Sequence, residues 1–292
     1  MPSHVKYRTL TTRFINARLF RIDTWFYTLP MPPASPRFGN CGPIDCLSKV
    51  LEAGFSHLEI GIVATLKPHD SDFDQSSLPE ISPGTITTAN MMLPGDIAVV
   101  GPAVDEAKIL AYAAVMFTRA QRLGVRTIVF GAGRSRRIPE GFSPEEARRQ
   151  IVHFLRMIAP IALAHRITIA IEHLNKRETN IITSFAEAAS YLPEVDQPNV
   201  RLLFDTYHAW VENEPLTHLR QFVSKLAHVH LADRDGRFAP GETGRSDYRP
   251  VFRILREANY TGDLSIEARD FNPAVRGKAV LEFLTHQWNT AI

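Results

Sequence analysis

Four segments in the second half of the chain end in a side chain that can bind a cation. ITIAIE ends in Glu172, VRLLFD in Asp205, LAHVH in His230 and LSIE in Glu267. Each follows a short run rich in branched or small apolar residues with no turn signal between, the pattern of a buried strand. A buried charge is costly unless it is paired or bound to a metal. Three carboxylates gathered at one place repel one another, and a divalent cation is the simplest partner that would hold them there. Three oxygen donors and one imidazole nitrogen suit a hard to borderline ion such as Mn2+ or Mg2+, with Zn2+ and Co2+ also compatible. Each residue taken alone has a plainer explanation: a strand-end carboxylate is often a helix cap or a solvated rim group, and a lone histidine is often packed in a core. Four in successive units make the set specific.

The elements that must position them alternate along the chain. Strand-like runs occur at 20–29, 56–62, 85–93, 126–133, 167–172, 199–205, 227–233 and 263–268. Helix-like stretches lie between them, including a long amphipathic one over 104–124 stopped by Gly124 and another over 143–166. The latter opens with Ser143 and Glu146, the spacing of a capping box, and the helix over 183–192 opens with Thr183 or Ser184. Further helices are expected near 44–54, 216–226, 248–260 and 273–288. Near-continuous apolar strands alternating with amphipathic helices argue for a parallel sheet covered by helices. About eight such units in a chain of 292 residues fit an α/β (β/α)8 TIM barrel. A doubly wound open sheet usually shows a glycine-rich phosphate loop after its first strand, and no G-x-G-x-x-G occurs there. In a barrel all C-terminal strand ends lie on one rim, where active sites sit. The residues just past the four strand ends then share that rim: Asn175 and Glu178, Tyr207 and His208, and Asp233, Asp235 and Arg237. They offer hydrogen-bond donors and acceptors to a polyhydroxylated ligand.

Composition narrows the function classes. A hydrophobic fraction of 45% with 22% charged residues is ordinary for a globular protein, and the net charge of +2 gives no footprint for nucleic acid or an anionic membrane. No apolar run is long enough to cross a bilayer. Cys41 and Cys46 are expected as reduced thiols of an intracellular, cytoplasmic protein. Residues 1–19, with Lys6, Arg8, Arg13 and Arg18 and no acid, resemble a transit peptide in composition only and are expected to form a loose N-terminal arm. Residues 20–292 are expected to form a single barrel domain.

The motifs IEHLNKRE, FDTYH, HVHLAD, PGETG and SIE resemble those of the sugar isomerase/epimerase group of xylose-isomerase-like TIM barrels, and within it the ketose 3-epimerases (D-tagatose and D-psicose 3-epimerases). The likeness runs from about Gly124 to Glu267 and is fainter in AGFSHLEIG and LPGD. It implies that Glu172, Asp205, His230 and Glu267 hold one divalent metal, commonly Mn2+. It also implies that Glu178, His208 and an arginine after the metal-binding histidine contact the sugar. The family spacing for that arginine falls on Gly236, so Arg237 is the candidate and Arg234 the weaker one. The resemblance further implies a small-molecule sugar substrate and a homo-oligomer, dimer or tetramer.

The chemistry implied is deprotonation and reprotonation of a ketose through a metal-stabilised enediolate, with Glu172 and Glu267 as the two bases on opposite faces of the substrate carbon. His208 would hydrogen-bond the carbonyl or its neighbouring hydroxyl, and Glu178 another oxygen. An isomerase would use the same groups, as would an inosose-dehydratase-like lyase or a hydroxypyruvate-isomerase-like enzyme. An endonuclease IV-like reading needs further histidines at strand ends that hold none here. A non-catalytic sugar-binding barrel would be expected to lack a metal ligand. Arg134, Arg136 and Arg137, in GAGRSRRIPEG, would make the substrate a sugar phosphate if they face it; otherwise they lie on a solvated loop or a subunit contact.

Overall fold

The protein is described here from a computed structural model covering residues 36–292. Eight parallel strands close into a barrel in sequence order. They are β1 (Arg37–Cys41), β2 (His57–Gly61), β3 (Thr88–Asn90), β4 (Thr127–Phe130), β5 (Thr168–Glu172), β6 (Val200–Asp205), β7 (Leu226–Leu231) and β8 (Asp263–Ile266). The helices between and after them are α1 (Leu47–Glu52), α2 (Ile62–Thr65), α3 (Glu106–Leu123), α4 (Pro144–Ala164), α5 (Phe185–Ser190), α6 (Leu192–Val195), α7 (Thr206–Val211), α8 (Leu216–Phe222), α9 (Arg249–Glu257) and α10 (Pro273–Asn289). The expected (β/α)8 architecture is thus present. The strand expected at 20–29 lies outside the described residues, and the barrel takes Arg37–Cys41 as its first strand.

Alternation along each strand divides the side chains between two environments. Leu58, Ile60, Ile128, Phe130, Ile169, Ile171, Leu202, Phe204, Val229, Leu231, Leu264 and Ile266 belong to the large core shared with the helices. The intervening residues belong to the barrel interior. There Val129, Ala170 and Leu203, on β4 to β6, form a small apolar cluster of their own. On β1, β2, β7 and β8 the interior positions include Gly39, Cys41, His57, Glu59, His228, His230 and Ser265, a mostly polar set. His57 Nε2 lies 3.0 Å from Ser265 Oγ. A Cβ at residue 39 would overlap the His57 ring, so only glycine leaves room for the histidine.

The helix ends follow the sequence signals, with one exception. Asp105 accepts from Lys108 N at 3.0 Å to start α3, and Gly124 ends it with φ +89. Ser184 rather than Thr183 caps α5, accepting from Glu187 N at 3.0 Å, and the Glu187 carboxylate reaches back past the cap to accept from Ile182 N and Thr183 N, a variant of the capping box. Ser143 caps α4 through Glu146 N at 3.2 Å. There the box stays half made, because the Glu146 carboxylate pairs with Arg149 instead.

Asn199, just before β6, locks one of these units together. It is buried, and its Nδ2 donates to Ala159 O on α4 at 2.9 Å and to Ile167 O ahead of β5 at 3.1 Å. Asn199→Ala leaves both carbonyls without that donor and is expected to destabilise the barrel by about 1–3 kcal/mol, read as a lowered thermal or denaturant midpoint; an unchanged midpoint would show that the two bonds contribute nothing net.

Candidate metal centre and substrate rim

Glu172 ends β5, Asp205 ends β6, His230 is the penultimate residue of β7 and Glu267 follows β8 directly. All four have interior parity, and the barrel brings them to one point. His230 Nδ1 lies 3.0 Å from Glu172 Oε1, 3.3 Å from Glu267 Oε2 and 3.8 Å from Asp205 Oδ2. One donor atom from each of the four falls within 4.8 Å of the other three. Glu172, Asp205 and His230 are buried and Glu267 is half-buried. Three convergent carboxylate oxygens and one imidazole nitrogen fit a divalent cation of the hard to borderline class, in donor type and in spacing.

Neighbouring residues explain how these side chains reach that point. Gly131 follows β4, and a Cβ there would overlap Glu172 Oε2, so the missing side chain provides the space the carboxylate uses. Arg136 is completely buried and donates to Phe130 O and Glu172 O, each at 2.8 Å, tying the ends of β4 and β5 together. Burial draws its guanidinium down to about 10, against the pull of Glu172. Asp205 divides its two oxygens: Oδ1 accepts from His208 N at 3.0 Å as the cap of α7, while Oδ2 faces His230. The helix-cap explanation and the site role are met by one side chain. Beneath His230, the buried Glu59 accepts from His230 Nε2 at 3.0 Å, His228 Nε2 at 2.7 Å and Thr88 Oγ1 at 3.2 Å.

The charges respond to this crowding. Burial raises the Glu172 carboxyl above its usual range despite His230 beside it. Burial pushes Glu267 the same way, yet Arg237 and His230 draw it down to about 2. His230 loses basicity by burial but is held well above its usual value by Glu59 and Glu267. Glu59, resisted by burial, is held low by His230 and His228. Cys41 Sγ falls beside Glu59 and His230, and burial followed by the Glu59 charge keeps it a thiol. Cys41 and Cys46 are both free.

The expected sugar contacts surround the same point. His208 is buried. Its Nδ1 accepts from Asn175 N at 3.2 Å and Asn175 Nδ2 at 2.9 Å, which leaves Nε2 as the protonated nitrogen, 3.8 Å from Asp205 Oδ2 and without a hydrogen-bond partner. The other Nδ2 proton of Asn175 goes to Glu178 Oε1 at 2.9 Å. Arg237 pairs with Glu267 and lies 3.5 Å from Glu178 Oε1 and 3.8 Å from Asp205 Oδ2, its guanidinium over the Tyr207 ring. Two consecutive left-handed residues, Gly236 with φ +74 and Arg237 with φ +58, turn the chain at this arginine. Arg234 is exposed and reaches Asn213 instead.

Three rim expectations change. Arg136 serves backbone carbonyls inside the protein, so it is neither a phosphate contact nor part of a solvated loop; Arg134 and Arg137 remain exposed. Asp233 accepts from Gly241 N, Thr243 N, Thr243 Oγ1 and Tyr248 Oη, which organises the PGETG loop and leaves it no ligand role. Asp235 is exposed beside Arg245. Conversely, Glu59, His228 and Asn90 were not singled out in the sequence. Glu59 sits in HLEIG much as Glu172 sits in ITIAIE, and His228 shares the parity of His230, so both carried a usable signal. Asn90, whose Nδ2 is 3.4 Å from Glu267 Oε1, ends the three-residue strand TAN, which has no apolar run to set it off, and carried none.

Comparison with known proteins follows the same lines. Residues 47–286 match the family model described as xylose isomerase-like TIM barrel. The chain is 31% identical over 137 residues to a 3-dehydro-D-guloside 4-epimerase of Escherichia coli K12, which covers 46% of this chain and 52% of that protein, about half its length. It is 25% identical over 257 residues to the hydroxypyruvate isomerase of Escherichia coli K12, covering 85% of this chain and 94% of that protein. A solved L-ribulose 3-epimerase superposes with a TM-score of 0.72 at 16% identity, covering 88% of this chain and 95% of that one, and so shares the fold.

The room made by Gly131 gives a direct test of the site's construction. Gly131→Ala should displace the Glu172 carboxylate and weaken binding of Mn2+ by roughly 10–100-fold, the scale of disturbing a metal site's support, measured by calorimetry on the folded variant. Wild-type affinity in that variant would mean that Glu172 is not held as its surroundings imply.

Proposed function

This chain belongs to the xylose isomerase-like TIM barrel family, and on that premise we propose that it is a divalent-metal-dependent epimerase or isomerase acting on a ketose or a related sugar or sugar phosphate. The observation that carries the proposal is the convergence of Glu172, Asp205, Glu267 and the Nδ1 of His230 within 4.8 Å at the C-terminal rim of the barrel. The family motifs and the names of the relatives, epimerases and an isomerase, support the reaction class. We assign Glu172, Asp205, His230 and Glu267 to one metal ion, Mn2+ by preference, with Mg2+, Co2+ and Zn2+ compatible with the same donors.

When bound, the cation supplies electrostatic stabilisation of the negative charge that develops on a substrate oxygen as the adjacent carbon loses its proton. Glu172 and Glu267 are the proton acceptor and donor at that carbon. They stand on β5 and after β8, with Asp205 and His230 on the strands between, so they reach a substrate from two sides. His208 donates its Nε2 proton to the carbonyl oxygen or the hydroxyl beside it, a direction fixed by the two donors that occupy Nδ1. Glu178, steadied by Asn175, accepts from a second hydroxyl. Arg237 donates to a further oxygen and keeps Glu267 ionised. Returning the proton to the opposite face of the same carbon gives an epimer, and returning it to the neighbouring carbon gives an isomer. Arg134 and Arg137 are the residues left to meet a phosphate. The homo-oligomeric state, dimer or tetramer, the single barrel domain and the cytoplasmic location belong to the same proposal.

A second reading has its own support: a hydroxypyruvate-isomerase-like activity, because the hydroxypyruvate isomerase aligns along 94% of its length. A panel of free ketoses, ketose phosphates, hydroxypyruvate and inososes, incubated with Mn2+ in deuterated water and followed by NMR, separates the possibilities by which carbon takes up deuterium and which product forms. Glu172→Gln and Glu267→Gln should each cut exchange at that carbon by more than about 10²-fold, the usual contribution of a positioned acid or base. Near-normal exchange in either folded variant would overturn the two-base scheme.

A further inference from the structure

Glu59 is a fully buried carboxylate that the proposed reaction does not use. It stands on β2 with its hydrogen bonds directed into the barrel interior, to His228 and His230 on β7 and Thr88 on β3. An ionised carboxylate only accepts hydrogen bonds. Both imidazoles therefore present Nε2–H to it, at 2.7 Å from His228 and 3.0 Å from His230. A neutral imidazole that carries its proton on Nε2 has its lone pair on Nδ1, and Nδ1 of His230 is the atom that faces Glu172, Glu267 and Asp205.

We propose that Glu59 is a positioning residue for the metal centre: by taking the Nε2 proton of His230 it fixes which nitrogen is free for the cation, the plane of the ring and the strength of that nitrogen as a donor. The inference rests on the metal-site reading above. A carboxylate behind a ligating imidazole is a general way to set tautomer and raise ligand basicity. His228 contributes by donating to the other oxygen of the same carboxylate from the position two residues earlier on β7, which holds Glu59 aimed at the interior. The geometry also explains why neutral Gln is a poor substitute despite its shape. A Gln side chain has one carbonyl oxygen, and its NH2 group can only donate. Two Nε2–H groups would compete for that oxygen, and an imidazole facing the amide would have to move its proton to Nδ1, toward the cation.

The experiment compares wild type with Glu59→Gln. Calorimetric titration of the metal-stripped proteins with Mn2+ should show 10–100-fold weaker binding in the variant. Circular dichroism should show a retained fold. Independently, 15N-resolved imidazole NMR of the wild-type protein loaded with diamagnetic Zn2+ should show His230 protonated on Nε2 alone. Equal Mn2+ affinities, or a proton on Nδ1 of wild-type His230, would overturn the proposal. If Glu59→Gln does not fold, the Nε2–H proton of wild-type His230 still decides: donated to the Glu59 carboxylate it should resonate far downfield and exchange slowly with water, and a rapidly exchanging proton at an ordinary shift would overturn the proposal. If wild type itself binds neither ion, the metal-site reading fails in that arm, and the role of Glu59 falls with it for a visibly different reason.

Discussion

Three carboxylates sharing one small volume with an imidazole is the constraint around which the rest of the molecule is arranged. Like charges in a poorly solvated place repel strongly, so the cluster needs positive charge and hydrogen bonds from every side. His230 and Arg237 supply the charge from the protein, and the donor set leaves the centre suited to a divalent cation. The surrounding structure then serves to hold the four side chains at that point. Gly131 leaves space for one carboxylate, α7 is capped by another, and Arg136 ties together the strand ends on which the first depends.

The barrel makes this possible through strand parity. Every second residue points inward, and a one-residue slip in any of β5 to β8 would turn a candidate ligand outward into the helix-facing core. The interior is accordingly uneven. Beside Val129, Ala170 and Leu203 it is apolar, whereas on β1, β2, β7 and β8 it is lined by histidines, Glu59 and Ser265. Polar groups are tolerated there because many of them bond to each other. The polar side extends down from the candidate metal centre and gives His230 its partner.

Much of this was legible in the sequence. The alternation of strand and helix runs identified the barrel, and the four residues at or near the strand ends stood out because they recur in successive units. Arg237 was legible only through family spacing; the Asp235-Gly236 pair announces a turn there, but not which following side chain it aims at the site. The first strand of the barrel was not read: RFGNC carries a glycine, an asparagine and an arginine and lacks the apolar run that marked the others. Its glycine is there because His57 fills the interior opposite it, a requirement set by another strand. Sequence alone makes Arg136 a rim or loop charge, because arginines are usually exposed. Its burial depends on two carbonyls from strands that only the fold brings together.

The sequence by itself determined the alternation of element types and pointed to four candidate ligands at or near strand ends, since a charged or imidazole side chain closing an apolar run is a local property. The tertiary structure decided how each carboxylate divides its oxygens, which arginine faces the site and which is spent on the backbone, and that a glutamate four strands away in the barrel order from Asp205 stands behind the histidine. These are pairings between distant segments. Closure of the barrel creates them, and a buried donor or acceptor takes whatever partner closure places beside it.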